Sequence, residues 1–233
     1  MDRIRRSREE AVLLRGQPVS EVTPSRRDFA QYVAAGKEEP AFIIRLSTIG
    51  TGWNRAQLVA RAMAADDADA AAISLSLFDD TAGEDLAAIS SAISAPILRE
   101  DPLVESNQLY HARLHGVDAV VLPAAALPRD ELASLIDVAA SMHMSVVVAC
   151  TSPTEADAIL QWPYTIVGIS DLASARAIGE RLPKTRTVVL LSPIATPDEY
   201  RAVRGACDAV IIGPSIFERD DLEDALQDLR DGV

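Results

Sequence analysis

The sequence has few of the residues that mark several large classes of protein. Its 233 residues include only 2 cysteines, and aromatic residues make up 4% of the chain. Two cysteines cannot build a disulfide framework, so we expect a reducing, cytoplasmic setting. A core with so few rings must be built from alanine, valine, isoleucine and leucine, which suits tightly packed layers of helices and parallel strands.

Long apolar runs and an excess of positive charge are also missing. No apolar run approaches the roughly 20 residues that cross a membrane, and no apolar segment follows the basic N-terminus as in a signal peptide. The net charge of −13 repels phosphate backbones, so we expect neither nucleic acid nor a membrane as a partner. The arginines between Arg3 and Arg15 are predicted to lie on a solvated helix, with a local anion or partner contact as the alternative.

What the chain has instead is one unit that recurs from residue 41 onward. A short apolar run is followed by a small or polar turn and then by an amphipathic segment. Most runs show no polar alternation, which is typical of strands buried on both faces of a parallel sheet. The eight predicted strands are Ala41–Leu46, Ala70–Leu77, Ala95–Leu98, Asp118–Leu122, Ser145–Ala149, Thr165–Ile169, Thr187–Leu191 and Asp208–Ile212.

Eight strand–helix units favour a closed (β/α)8 barrel, with an open doubly wound sheet as the alternative. No linker-like stretch divides residues 41–233, so we predict that they form one barrel domain. Residues 1–40 contain two amphipathic segments that end at Gly16 and Gly36, and we predict an N-terminal helical extension there.

The carboxyl ends of the strands are the expected place for a functional site. Ser192 and the turn Gly213–Ser215 follow the last two strands, where such barrels often bind phosphate through backbone N–H groups. Pro193 and Pro214 have no N–H to offer. We therefore predict that phosphate binding at this end is weak or absent.

No motif for a metal or a cofactor stands out. His111 and His115 have the i, i+4 spacing of metal ligands, but no third ligand is evident, so we predict a surface pair without metal. The phosphate-binding loop of nucleotide enzymes, the dinucleotide fingerprint and the Cys-x-x-Cys motif do not occur. We expect no cofactor.

Three stretches of the chain, taken in order, match one known family. Segment 96–127, "PILREDPLVESNQLYHARLHGVDAVVLPAAAL", contains the first, and "SPIATPDEY" and "DAVIIGPSIFERDD" follow it. They resemble the indole-3-glycerol phosphate synthase family, and the stretches "REEAVLLRGQPVSEV" and "RRDFAQYV" resemble its N-terminal extension. The resemblance implies a (β/α)8 barrel that closes and decarboxylates a phosphorylated anthranilate derivative, forming the indole ring in tryptophan biosynthesis.

The family's functional positions carry other residue types here. By the resemblance, its three glutamates fall on Ile43, Ala149 and Leu191, its two lysines on Arg45 and Glu100, its asparagine on Ser170 and its phosphate-side serine near Thr48. Aliphatic side chains cannot transfer a proton, and an arginine keeps its proton up to a pH above about 12. A buried glutamate can act as an acid, so Glu100 is the one position with a chemical substitute.

Two functions of different class follow. The first is a catalytically inactive relative, a binding, scaffolding or regulatory barrel that recognises a related small molecule or a protein partner. The second is an active carboxy-lyase on a related phosphorylated or aromatic-carboxylate substrate, with Glu100 as acid or base and Arg45 as anion holder. We favour the first, because three charged family positions are aliphatic here.

The candidate site is the same for both functions. Arg45 and Glu100 are expected to face each other across the barrel mouth, either as a structural ion pair or as a pair that holds a ligand. The ligand-binding candidates are Thr48, Ser170, Ser192, Gly213 and Ser215.

Overall fold

The strands form one closed sheet. The computed structural model describes residues 3–15, 22–34, 36–46, 53–76, 83–219 and 221–232. Its strands are β1 Ala41–Leu46, β2 Ala72–Leu75, β3 Ile97–Pro102, β4 Ala119–Pro123, β5 Ser145–Cys150, β6 Ile166–Ile169, β7 Val188–Ile194 and β8 Ala209–Ile212. Neighbours in sequence pair in parallel, and β1 also pairs with β8. The predicted (β/α)8 barrel is confirmed.

Helices precede β1 and follow the strands around the outside of the barrel. They are α1 Arg3–Leu14, α2 Phe29–Val33, α3 Arg55–Asp67, α4 Gly83–Ala92, α5 Ser106–Leu114, α6 Arg129–Ser141, α7 Pro153–Ile159, α8 Ala175–Gly179, α9 Pro197–Val203, α10 Pro214–Phe217 and α11 Leu222–Asp231, with a 3-10 turn at Ala124–Ala126. None of the helices in the described part of the chain is long and apolar enough to cross a membrane.

The core has an inner and an outer layer. Inside the barrel, branched side chains and alanines of the strands pack together and fill the narrow interior. The inner residues of the strands include Ile43, Leu98, Val147, Val189, Ala72, Ala119 and Ala209. A larger cluster between the strands and the helices forms the outer layer. The strands are thus buried on both faces, as their unbroken apolar runs predict.

The two N-terminal helices contact different parts of the barrel. Phe29 and Val33 of α2 are fully buried and belong to the same cluster as the barrel interior. Helix α1 contacts β3 and α5, and its residues Arg3 and Ile4 line a cavity at the carboxyl end of the barrel. The boundary at residue 40 between extension and barrel stays a prediction.

Two strands continue three or four residues past their predicted ends. β3 continues to Pro102 and β7 to Ile194, and the pairing of each with its next neighbour shifts register at that end. An irregular register leaves a place for a proline, which cannot donate to the sheet ladder. Ser192 therefore lies inside β7, and its prediction as a residue of the following loop was wrong.

Candidate functional site

A cavity of about 280 Å³ lies at the carboxyl end of the barrel. Strand residues and the residue that follows β6 supply much of its wall, including Arg45, Glu100, Ala149, Ser170, Leu191 and Ile211. The first five of these are positions that the sequence singled out, and the fold brings them to one place. It is the place where a (β/α)8 barrel carries its active site.

Arg45 and Glu100 form an ion pair in the cavity wall. Arg45 Nε donates to Glu100 Oε1 at 2.9 Å, and Arg45 Nη2 donates to Glu100 Oε2. The Glu100 side chain is 6% exposed and that of Arg45 is 25% exposed. A guanidinium that binds both carboxylate oxygens holds the two side chains in one fixed orientation. The structure thus places the two residues face to face.

The wall around this pair is aliphatic. Ala149 and Leu191 pack against the interior cluster, which contains the fully buried Ile43. Leu191 lies close to Gly168, where the methyl group of an alanine would come within 2.8 Å of Leu191 Cδ1. The glycine therefore makes room for the leucine side chain, which fills space at the mouth of the barrel.

Strand β3 connects this wall to helix α1. Arg99 and Asp101 flank Glu100 in the strand, so their side chains point to the other face of the sheet. Arg99 Nη2 donates to Glu10 Oε1 at 2.7 Å, and Arg3 Nη2 donates to Asp101 Oδ1 at 3.1 Å. Arg3 therefore pairs with a carboxylate of its own chain, while its side chain stays 45% exposed.

The five ligand-binding candidates separate in the structure. Ser170 lines the cavity, whereas Ser192 is half-buried within β7 and Ser215 is exposed in the first turn of α10. The N–H of Gly213 donates to the carbonyl of Ile194 at 2.9 Å. Thr48 lies outside the described residues. Of the four described candidates, only Ser170 reaches the cavity.

Two glutamates at the rim bind backbone donors near the strand ends. Glu155 Oε2 accepts from the N–H of Thr151 at 2.7 Å, after β5. Glu199 Oε2 accepts from the N–H of Ala195 at 2.8 Å and from that of Thr196 at 3.0 Å, after β7. These contacts were not among the sequence predictions, although a glutamate three residues after the helix-capping Thr196 is the capping-box signal for its bond to Glu199.

Cys150, at the end of β5, is not a nucleophile in this environment. Its side chain is buried, and desolvation, with a further contribution from Glu155, raises the thiol pKa to about 12. Since the thiolate is the reactive form of cysteine, the neutral thiol at ordinary pH is inert.

His111 and His115 lie side by side on and just after α5. Their Nε2 atoms are 3.3 Å apart, and both rings are half-buried rather than fully on the surface. No group of three or more histidine, cysteine, aspartate or glutamate side chains that could hold a metal occurs among the described residues.

Comparison with known proteins points to one family. Residues 1–229 match the family model described as indole-3-glycerol phosphate synthase. A protein of that name from Rhodococcus jostii (strain RHA1) is 34% identical over 155 residues, covering 62% of this chain and 58% of the relative. Another from Mycobacterium avium (strain 104) is 31% identical over 156 residues, covering 63% and 57%. The match thus spans less than two thirds of the length of these curated relatives.

Solved structures share the barrel at low sequence identity. N-acetylmannosamine-6-phosphate 2-epimerase from Clostridium perfringens superposes with a TM-score of 0.65 at 12% identity, covering 90% of this chain and 100% of that one. Orotidine 5'-phosphate decarboxylase from Pyrococcus horikoshii gives a TM-score of 0.63 at 14% identity, covering 82% and 100%. These similarities support the fold alone.

Proposed function

Because the chain belongs to the indole-3-glycerol phosphate synthase family, we propose that it is a ligand-binding or regulatory barrel of that family which does not catalyse the family's ring closure. One observation carries the proposal: the charged groups of the cavity are paired within the protein. Arg45 and Glu100 bind each other, and Arg3 binds Asp101. The described remainder of the wall is aliphatic apart from Ser170.

Ring closure needs an acid and a base that act separately, and this cavity wall does not provide them. Decarboxylation with ring closure requires a proton donor at the substrate carbonyl and a base nearby. Glu100 is the one carboxylate among the described lining residues, and both of its oxygens accept from Arg45. The arginine does not release a proton near neutral pH. The pair therefore supplies one neutral polar unit in place of a separate acid and base.

The alternative function is an enzyme with a rebuilt site. It is favoured by the position of Glu100, which lies in the cavity wall where the family resemblance puts the general-acid lysine, and which is almost fully buried. In this case a bound substrate would displace the guanidinium of Arg45 from the carboxylate. Activity would then depend on Glu100 and on Arg45 together.

Complementation tests the proposal directly. The chain is expressed in a tryptophan auxotroph that lacks its own indole-3-glycerol phosphate synthase, with an authentic synthase as the positive control. We expect no growth without tryptophan, although immunoblotting of the soluble cell fraction shows that the chain is present. Growth at the rate of the positive control would contradict the proposal. In that event, loss of growth in Glu100→Gln would identify the rebuilt site.

A further inference from the structure

We infer that the cavity takes an unphosphorylated ligand, a small and largely apolar molecule without a charged group. The inference rests on the proposed function, since it names the class of molecule that the same cavity binds. Three sets of contacts support it: those of the backbone donors, those of the rim carboxylates and those of the cavity wall.

Two of the backbone donors that would hold a phosphate are missing, and a third is already used. Barrels of this class bind phosphate with N–H groups after the seventh and eighth strands. Pro193 and Pro214 have no N–H, and the N–H of Gly213 donates to the carbonyl of Ile194. A phosphate that recruited Gly213 would have to break this contact between β7 and the end of β8.

Carboxylates occupy further donors along the same rim. Glu199 binds the N–H groups of Ala195 and Thr196 after β7, and Glu155 binds that of Thr151 after β5. Beyond using up the donors, each carboxylate places negative charge at the rim. A phosphate dianion would meet like charge there, in a protein whose net charge is already −13.

The cavity itself suits a small apolar molecule. Its volume of about 280 Å³ lies just below the range of roughly 300–1,000 Å³ for ligand pockets. Val121, Ala149, Leu191 and Ile211 offer apolar contact, while Ser170 offers a hydroxyl. The cations Arg3 and Arg45 are each neutralised by a carboxylate, so an anionic ligand gains little from them.

A matched pair of probes tests the inference. Binding of indole-3-glycerol and of indole-3-glycerol phosphate to the full chain is measured by isothermal titration calorimetry, with inorganic phosphate as competitor. We expect indole-3-glycerol to bind at least tenfold more tightly than its phosphate ester, and 10 mM phosphate to leave its affinity unchanged. The inference would be overturned if the two affinities differed by less than tenfold, or if the phosphate ester bound more tightly. Competition by phosphate, or no binding of indole-3-glycerol at millimolar concentration, would also overturn it.

Variants show that the measured binding is in the cavity. Ala149→Phe fills the cavity and should abolish binding of indole-3-glycerol, whereas Ala177→Phe on the exposed face of α8 should leave it unchanged. If Ala149→Phe does not fold, Leu191→Phe makes a smaller change in the same wall. Equal binding by the cavity variant and the control would place the ligand elsewhere and overturn the inference. Complementation reads out catalysis and not affinity, so the two proposals fail in different experiments.

Discussion

Asp118 shows at the scale of one residue how a buried charge joins distant parts of the chain. Its Oδ1 accepts from Ser25 Oγ at 2.6 Å and from Arg113 Nη1 at 2.8 Å. Its Oδ2 accepts from the N–H of Ile97 at 3.0 Å and lies 2.8 Å from Arg27 Nε. The carboxylate is 1% exposed, and these donors compensate for its removal from water.

Removal of this carboxylate should destabilise the whole protein. In Asp118→Ala, Arg27 and Arg113 lose their shared counter-charge while they remain largely buried. Breaking a buried ion pair from one side costs about 3–5 kcal/mol, and we expect a loss of this size in the free energy of unfolding. Urea denaturation followed by circular dichroism measures it. The control is Asp137→Ala, at an exposed position of α6, whose free energy of unfolding should stay within about 0.5 kcal/mol of that of the unmodified protein. Equal losses of unfolding free energy in the two variants would contradict the role given to Asp118.

At the scale of the element, the C-terminal end of α5 holds two histidines, one in the helix and one just after it, that are easier to keep neutral than to charge. Burial lowers the pKa of His111 first, and His115 and Arg99 lower it further, against the opposing effect of Glu10. Burial, followed by Arg99, also lowers the pKa of His115. With the Nε2 atoms 3.3 Å apart, two imidazolium rings would repel each other at close contact.

Stability should therefore fall in mild acid. The ordinary pKa of histidine is 6.5, and both folded-state pKa values lie below it, so the unfolded chain binds more protons below about pH 6.5. We expect the free energy of unfolding to decrease as the pH falls from 7.5 to 5.5. In His111→Gln/His115→Gln this decrease should be smaller than in the unmodified protein. Parallel pH profiles of the protein and the double variant would contradict the expectation.

The elements also show what could be predicted from the sequence and what could not. All eight strands were predictable, because each is buried on both faces and contains or begins with an apolar run. The extra length of β3 and β7 was not, because Pro102 and Pro193 argue locally against a strand. The pairing of Arg45 with Glu100 followed from their positions near the ends of two strands.

Nothing in the local sequence of α1 predicts its position at the cavity. The hydrogen bond between Glu10 and Arg99 joins residues that are 89 positions apart. Contacts of this kind depend on the complete fold, and no spacing within α1 or β3 indicates them. For the same reason Arg3 and Ile4 were not among the candidate site residues, although they line the cavity.

At the scale of the whole molecule, α1 is attached to the barrel largely through polar side chains. Glu10 accepts from Arg99 at 2.7 Å and from Gln108 Nε2 at 2.6 Å. Asn107 Nδ2 donates to the carbonyl of Ala11 at 2.8 Å. Since Arg3 and Ile4 at one end of this helix line the cavity, we expect the strength of these contacts to set how often this part of its wall is released to solvent.

Glu10 and Glu9 provide a matched comparison, because they are neighbours in α1 with different surroundings. Glu10 is 20% exposed in its pair with the fully buried Arg99, whereas Glu9 is 57% exposed in a surface pair with Arg5. In Glu10→Ala, Arg99 retains Asp101 but loses its second carboxylate, and Gln108 loses an acceptor. We expect α1 to open more easily by roughly 2 kcal/mol, while Glu9→Ala changes little because exposed pairs are worth less than about 1 kcal/mol.

Hydrogen exchange distinguishes local opening of α1 from unfolding of the barrel. A loss of about 2 kcal/mol corresponds to roughly 30-fold faster exchange, and in Glu10→Ala this acceleration should be confined to the amides of α1. The amides of β5 and β6, far along the chain from α1, should exchange as in the unmodified protein, since they open with the global transition. Acceleration of both sets by the same factor would mean that α1 and the barrel unfold as one unit. In that case α1 would be part of the barrel's cooperative core, and the cavity could not open by release of the helix alone.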